Sequence, residues 1–115
     1  MEMREFLGHL RVDMPRERVV LFERALEIWG VQAQTGMLLE EMGEVMVAWN
    51  KQTRGVNGGT KDEFFKECVD LSIMVEQMKV CAVLQGFDWD AEQTRKLERL
   101  KLLLDREING GGKRG

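Results

Sequence analysis

Two short acidic segments have the residue types and the spacing to hold a divalent cation. The first segment lies within LLEEMGEVMVAW (38–49) and contributes Glu40, Glu41 and Glu44. Because residues three or four apart are neighbours on a helix surface, these carboxylates point to roughly one side. The same helix carries an apolar sector that consists of Leu38, Met42, Val45 and Trp49. The acidic side chains therefore flank residues that are expected to pack.

The second segment, EFFKECVD (63–70), repeats this arrangement. Glu63, Glu67 and Asp70 are at positions i, i+4 and i+7, so they share one face of a helix. The adjoining apolar stripe consists of Phe64, Cys68, Leu71 and Val75. If the two helices pack through their apolar stripes, their acidic edges meet and several carboxylates face one cavity.

Crowded carboxylates beside an apolar stripe cannot all remain ionised and unpaired. Their pKa values can rise, a lysine or arginine can bridge them, or they can bind cations. Carboxylate oxygens suit hard cations such as Mg²⁺, and a pair of such ions can clamp a phosphate group during in-line attack. Glutamate is also common on solvated helix faces, so the spacing alone leaves that structural interpretation open.

Helical periodicity runs through most of the chain and predicts an all-α, four-helix bundle that forms an oligomer. The helices are expected at about 15–29, 33–53, 61–84 and 91–108. Helical spacing gives each of the two outer helices one apolar face. The first face consists of Val19, Phe22, Leu26 and Trp29, and the second of Leu97, Leu100, Leu104 and Ile108. Pro15 suits a first helical turn, and Thr60 with Glu63 three residues later reads as a capping box. The glycine-rich segment RGVNGGT separates the second helix from the third.

The chain length of 115 residues predicts one domain. We place a helical domain at 15–108, a flexible head at 1–14 and a disordered tail at 109–115. The net charge is −3, without the basic bias of a nucleic-acid-binding protein. No apolar run is long enough to span a bilayer, and the charged N-terminal stretch has no signal-peptide core.

The two cysteines, Cys68 and Cys81, are expected on one helix, about 19 Å apart along its axis. That distance prevents a disulfide between them within one chain. Two cysteines and one histidine also fit no zinc pattern. This cysteine usage favours a reducing, cytoplasmic location.

The motifs EEMGE and ECVD together resemble the EExxE…ExxD signature of the MazG-like nucleotide pyrophosphohydrolases, within the all-α NTP pyrophosphatase group. The flanking segments WGVQAQTGMLLEEMGEVMVAWNKQTRG and KECVDLSIMVEQM are also similar to that family, and the resemblance covers about residues 16–105. It implies hydrolysis of (d)NTPs to nucleoside monophosphate and pyrophosphate, in a homodimer or homotetramer.

The resemblance also implies roles for individual residues. Glu41, Glu44, Glu67 and Asp70 match the positions that hold Mg²⁺, for which Mn²⁺ is a possible substitute. Glu40 matches the first acid of the motif and is expected to bind metal or to orient the attacking water. Glu40 and Glu44 are thus the candidate catalytic residues. The Asn-x-x-Arg-Tyr-Pro-like ending of the dCTP-type relatives is missing, which leaves the base preference open.

Three further residues are candidates for substrate binding. Lys51 and Arg54 follow the first acidic segment and could contact phosphates, although cations also stabilise helix C-termini. Gln34 lies seven residues before Glu41, two turns along the same face. Two alternatives remain: a phosphoribosyl-ATP pyrophosphatase, and a non-catalytic helical interaction module. A di-iron carboxylate bundle is disfavoured, because the single histidine cannot supply the Glu-x-x-His pairs.

Overall fold

The computed structural model describes residues 13–55 and 59–110, and within these ranges the chain is helical without strands. The four helices are α1 (Arg16–Trp29), α2 (Val31–Arg54), α3 (Lys61–Leu84) and α4 (Trp89–Gly110). The predicted all-α class and the number of helices are confirmed. Residues 1–12 of the predicted head and 111–115 of the predicted tail lie outside the described ranges, and α4 continues two residues past its expected end.

A single glycine connects α1 to α2. Gly30 adopts a φ of 86°, its N–H donates to the Leu26 carbonyl at 2.9 Å, and its carbonyl accepts from the Gln34 N–H at 3.1 Å. Such a positive φ is accessible to glycine at little cost. The second helix therefore begins at Val31, earlier than the sequence pattern indicated, because no separate loop is needed.

The connection between α2 and α3 is tight on both sides. Gly55 ends α2 in the left-handed region, with a φ of 67°. A Cβ at Gly59 would overlap the backbone of Lys51, so only glycine lets the chain pass this close to the end of α2. Thr60 then caps α3, because its hydroxyl accepts from the Glu63 N–H at 3.1 Å. These features turn the chain back so that α2 and α3 pack as an antiparallel pair.

The buried apolar core is small and lies at the far end of this pair from the connecting loop. Val19, Phe22 and Leu26 of α1 pack with Val80 and Cys81 of α3, as a cluster in which Val80 is fully buried. These three residues of α1 are those that the helical spacing predicted for its inward face. The fourth predicted residue of that face, Trp29, is 63% exposed instead.

Much of the remaining apolar surface is not covered by the described residues. Over its 22 residues, α4 contains no buried residue. The Cα radius of gyration is 18.4 Å, whereas a compact chain of this size has roughly 13 Å. None of the helices in the described part of the chain is both long and apolar enough to cross a bilayer. The thiols of Cys68 and Cys81 are both free, as expected.

Candidate metal centre

The antiparallel packing of α2 on α3 brings the two acidic segments together. The rings of Trp49 and Phe64 lie 5.1 Å apart near the connecting loop. One turn or more further from the loop, the carboxyl group of Glu44 lies close enough to that of Glu67 to raise its pKa. The register of the two helices therefore places the EEMGE motif directly across from the ECVD motif.

Three carboxylates from the two helices converge on one point. Glu41, Glu67 and Asp70 each offer a carboxylate oxygen, and these oxygens all lie within 4.8 Å of one another. Glu41 and Glu67 are partly buried, whereas Asp70 is exposed. One short-range cluster thus combines carboxylates from both motifs, whereas Glu63, the first acid of the i, i+4 and i+7 series, does not belong to it.

The electrostatics of the cluster are unfavourable for a chain without a counter-ion. Partial burial raises the pKa of Glu41, and the nearby charges of Glu44, Asp70 and Glu40 raise it further. Partial burial also raises the pKa of Glu67, followed by its hydrogen bond with Glu44 and by the surrounding negative charges. Each shift reflects a penalty on the ionised form, which a bound cation removes.

Two carboxylate oxygens in the cluster also lack hydrogen-bond partners. Among the residues described, no donor reaches Glu41 Oε2 or Glu67 Oε2, although both atoms are buried. A buried acceptor without a partner is destabilising, and carboxylate oxygens are the ligands that Mg²⁺ and Mn²⁺ prefer. The donor set, the distances and the orphaned oxygens therefore all fit a hard divalent cation held by Glu41, Glu67 and Asp70.

An open depression of about 280 Å³ lies beside the three converging carboxylates. It is lined by Glu44, Val47, Ala48, Lys51, Glu63 and Glu67. Its walls combine acidic oxygens with the ammonium of Lys51, so a ligand with both metal-binding and anionic groups fits its chemistry. The carboxylate of Glu63 lies 3.3 Å from Lys66 Nζ, so this acid is part of an ion pair at the rim.

The predicted site residues differ in how near they lie to this centre. Glu44 and Lys51 line the depression, and Glu40 is exposed and close enough for its charge to act on Glu41. Arg54 is exposed in the last turn of α2 and does not line the depression. Gln34 is buried in the first turns of α2, with 6% of its surface exposed.

One residue near this face was not singled out by the sequence pattern. Gln77 is 8% exposed, and its Oε1 has no hydrogen-bond partner among the described residues. It follows Asp70 by seven residues, just as Gln34 precedes Glu41 by seven. In an antiparallel pair, these offsets place both glutamines on the acidic side of the helices, two turns beyond the carboxylates. The same i+7 rule could have found Gln77.

No family model, no curated protein and no solved structure matches the chain at a significant level of similarity. The interpretation of the site therefore depends on its geometry and on the resemblance of its two motifs.

Proposed function

We propose that this chain is a Mg²⁺-dependent nucleoside triphosphate pyrophosphohydrolase. The observation that carries the proposal is the convergence of Glu41, Glu67 and Asp70 within 4.8 Å beside a depression that also contains Lys51. The structural alternative is a solvated helix face, on which carboxylate oxygens contact water. In this cluster, Glu41 Oε2 and Glu67 Oε2 are instead buried without hydrogen-bond partners among the described residues. Motif resemblance supplies the reaction class, and the geometry is compatible with it.

Each residue has a role that follows from its position. Glu41, Glu67 and Asp70, together with Glu44, would hold the cation. Bound Mg²⁺ would supply positive charge to the phosphate oxygens and make water more acidic. The ammonium of Lys51 would contact the phosphates, and Arg54 would do so only if its side chain turns toward the depression. Gln34 is buried and does not line the depression, so it would contact a part of the substrate other than the phosphates.

The proposed reaction adds water across the anhydride between the α and β phosphates. An oxygen–phosphorus bond forms at the α phosphorus, the bond to the bridging oxygen breaks, and pyrophosphate leaves. Glu44, or Glu40 beside it, would orient the water and accept its proton on a carboxylate oxygen. No covalent enzyme intermediate is needed, because the attacking group is water.

We also propose that the chain works as a homodimer or homotetramer. Its apolar core is small, and many of its large apolar side chains are exposed in a single chain. Association of copies would cover this surface and add the stability that a chain of this size gains from a larger core.

The decisive experiment measures products from a panel of (d)NTPs and phosphoribosyl-ATP, with Mg²⁺ or Mn²⁺. At least one nucleotide is expected to give equal amounts of its monophosphate and pyrophosphate. Glu44→Gln should lower that rate by about 100-fold, since one interaction worth several kcal/mol in the transition state is lost. Glu98→Gln is the matched control, because Glu98 is exposed on α4.

Thermal unfolding with and without Mg²⁺ separates binding from turnover. A cation at 100 times its Kd should stabilise the folded chain by about 2.7 kcal/mol. A non-catalytic helical module predicts neither pyrophosphate release nor this shift. Stabilisation by Mg²⁺ without turnover of any nucleotide would refute the enzymatic proposal but retain the metal site.

A further inference from the structure

A second apolar stripe of α2 lies on the side of the helix opposite its acidic residues. It consists of Leu39, Met42, Met46 and Trp49, which are between 46% and 61% exposed. At about 100° per residue, this stripe points away from Glu40 and Glu44. The side of α2 that packs on α3 lies between the apolar stripe and these two glutamates. It contains Leu38, Glu41 and Val45, which are partly buried.

The fourth helix carries a stripe with matching spacing. Leu97, Leu100 and Leu104 follow one another at three and four residues, and Ile108 continues the row one turn later. All four are between 49% and 77% exposed. The α2 stripe also alternates three and four residues. Helices with this spacing pack side by side at about 20° to one another. An amphipathic helix draws most of its stability from packing of its apolar face, but the stripe of α4 is not buried by any of the residues that the structure describes.

The turn before α4 directs this helix away from its own chain. The Phe87 N–H donates to the Ala82 carbonyl at 3.0 Å, and Gly86 adopts a φ of 85°. Asp88 then caps α4, because its Oδ1 accepts from the Ala91 N–H at 3.0 Å. Lys79 on α3 pairs with Asp90 at 3.3 Å and fixes the first turn of α4. Beyond this first part of the helix, residues 93–109 of α4 are exposed throughout.

The apolar area of the two stripes suits a homodimer interface of standard size. The eight stripe side chains of α2 and α4 keep between 46% and 77% of their surface exposed. At on the order of 100 Å² per side chain and about half of it exposed, they present roughly 400 Å² per chain. A standard specific interface needs about 800 Å² from each partner, of which a little more than half is apolar.

A second copy of this chain is the occupant that fits both stripes at once. An isologous pair brings the α4 stripe of each copy against the α2 stripe of the other, so all four stripes are covered around one two-fold axis. A different protein with a single complementary face would cover only one of the two stripes and would leave the other exposed to water. The polar side of α4 mixes Glu92, Arg95, Glu98 and Arg99, so it lacks the basic bias of a helix that lies on an anionic membrane.

We propose that two copies exchange α4, so that Leu97, Leu100 and Leu104 of each copy pack on Leu39, Met42, Met46 and Trp49 of the other. This arrangement leaves the acidic side of the α2–α3 pair open to solvent. It specifies the interface of the oligomer proposed above, and it does not depend on the catalytic proposal, since its measurements use neither nucleotide nor metal.

Light scattering after gel filtration of the full chain is the first test. The wild-type protein is expected at twice its chain mass of 13.3 kDa, or at four times that mass if dimers pair. Met46→Glu and Leu100→Glu should each weaken the dimer by at least 100-fold in Kd. Leu102→Glu is the matched control: Leu102 is 65% exposed but lies across α4 from the stripe, so the dimer should persist. A monomeric wild type, or dimers unchanged by Met46→Glu and Leu100→Glu, would overturn the proposal.

Cysteine cross-linking covers the case in which a charged variant fails to fold. Chains with Met46→Cys and chains with Leu100→Cys, both in a Cys68→Ser background, are mixed and oxidised. A covalent dimer that needs both variants is expected, because α4 of one copy would lie on α2 of the other. A covalent dimer formed by Leu100→Cys alone, with no mixed product, would mean that α4 pairs with α4 and would overturn this arrangement.

Discussion

The α2–α3 pair has two opposite faces that differ in the partner they need. The acidic face contains Glu40, Glu41, Glu44, Glu67 and Asp70, and its cost in the isolated chain is electrostatic, because like charges meet near buried surface. The apolar face contains Leu39, Met42, Met46 and Trp49, and its cost is the contact of apolar surface with water. A bound cation would relieve the first cost, and a second polypeptide would relieve the second.

The comparison shows how the helical repeat places acidic and apolar residues on different sides of α2. One helix can therefore offer two separate binding surfaces. Leu38 and Val45 point toward α3 from between the two faces. Glu41 also contacts α3 from the acidic face and Trp49 from the apolar face, so the other residues of each face can change without altering the packing of the pair. Sites on rigid helices hold their side chains more precisely than sites on loops. We therefore expect metal binding and chain association to be independent, and the predictions below test that independence.

The largest effect is expected from substitutions that separate the two faces. Asp70→Asn should reduce nucleotide hydrolysis by about 100-fold and abolish the stabilisation by Mg²⁺, because it removes one of three converging carboxylates. The oligomer mass should not change. Met46→Glu should do the reverse: it should lower the mass and leave the Mg²⁺ affinity within about 2-fold.

Calorimetric titration with Mg²⁺ and light scattering on both variants check this prediction. Asp105→Asn on α4 is the control for the loss of one negative charge, since Asp105 is exposed and distant in sequence from both motifs. Loss of Mg²⁺ binding in Met46→Glu, in a chain that remains helical, would contradict independence. It would mean that the second copy completes the acidic site.

The sequence predicted the acidic face well and the fate of the apolar residues poorly. Spacing decides which residues share a side of a helix, so Glu67 and Asp70 could be placed together, and Thr60 marked the start of α3 correctly. Spacing does not decide how a helix is rotated against its neighbour. Met42 and Trp49 were expected to pack inward, but both are about half exposed in the structure.

The rotation of α2 places a glutamate, and not the neighbouring methionine, at the contact with α3. Its contact with α3 includes Glu41, which is more buried than Met42 beside it. Hydrophobicity alone would have placed Met42 inward, since an ionised carboxylate is costly to bury. Hydrophobicity did identify the apolar stripe of α4. However, nothing in the sequence indicated which surface covers that stripe. Exposed apolar residues and partly buried acids are thus the places where the proposed second copy and the proposed cation would bind.

An effect of intermediate size is expected at the cap of α3, the helix that supplies Glu67 and Asp70 to the acidic face. Thr60→Ala removes the hydroxyl that accepts from the Glu63 N–H and should lower the free energy of unfolding by about 1 kcal/mol. The loss should be the same with and without Mg²⁺, because the cap supports the helix and not one face of it. Thermal or urea unfolding measures it.

Thr53→Ala is the matched control for this cap. The Thr53 hydroxyl donates to the Trp49 carbonyl within α2, at 3.0 Å, and alanine is a stronger helix former. Its effect should stay within about 0.5 kcal/mol. If the loss in Thr60→Ala disappears when Mg²⁺ is present, the start of α3 is coupled to the metal site, and the cap does more than support a helix.

The smallest effect is a pH dependence that has opposite signs at two glutamates in the metal-free protein. Partial burial and the neighbouring acids raise the pKa of Glu67 in the folded state. A raised carboxyl pKa means that the folded state binds more protons than the unfolded state, so this contribution to stability is present below about pH 4.5 and is lost as pH rises. Glu67→Gln should therefore make the metal-free protein more stable than wild type at pH 7.5, and this gain should vanish near pH 4.

Glu92 provides the control of opposite sign, because its hydrogen bond with Arg95 lowers its pKa. A lowered carboxyl pKa contributes stability above about pH 4.5 that is lost as pH falls. Glu92→Gln should thus be slightly less stable than wild type at pH 7.5 and equal to it in acid. Melting temperatures of the three proteins in EDTA, from pH 4 to 7.5, measure both differences. If Glu67→Gln is instead destabilised at pH 7.5 in EDTA, the acidic face carries no electrostatic cost, and the argument that it requires a cation fails.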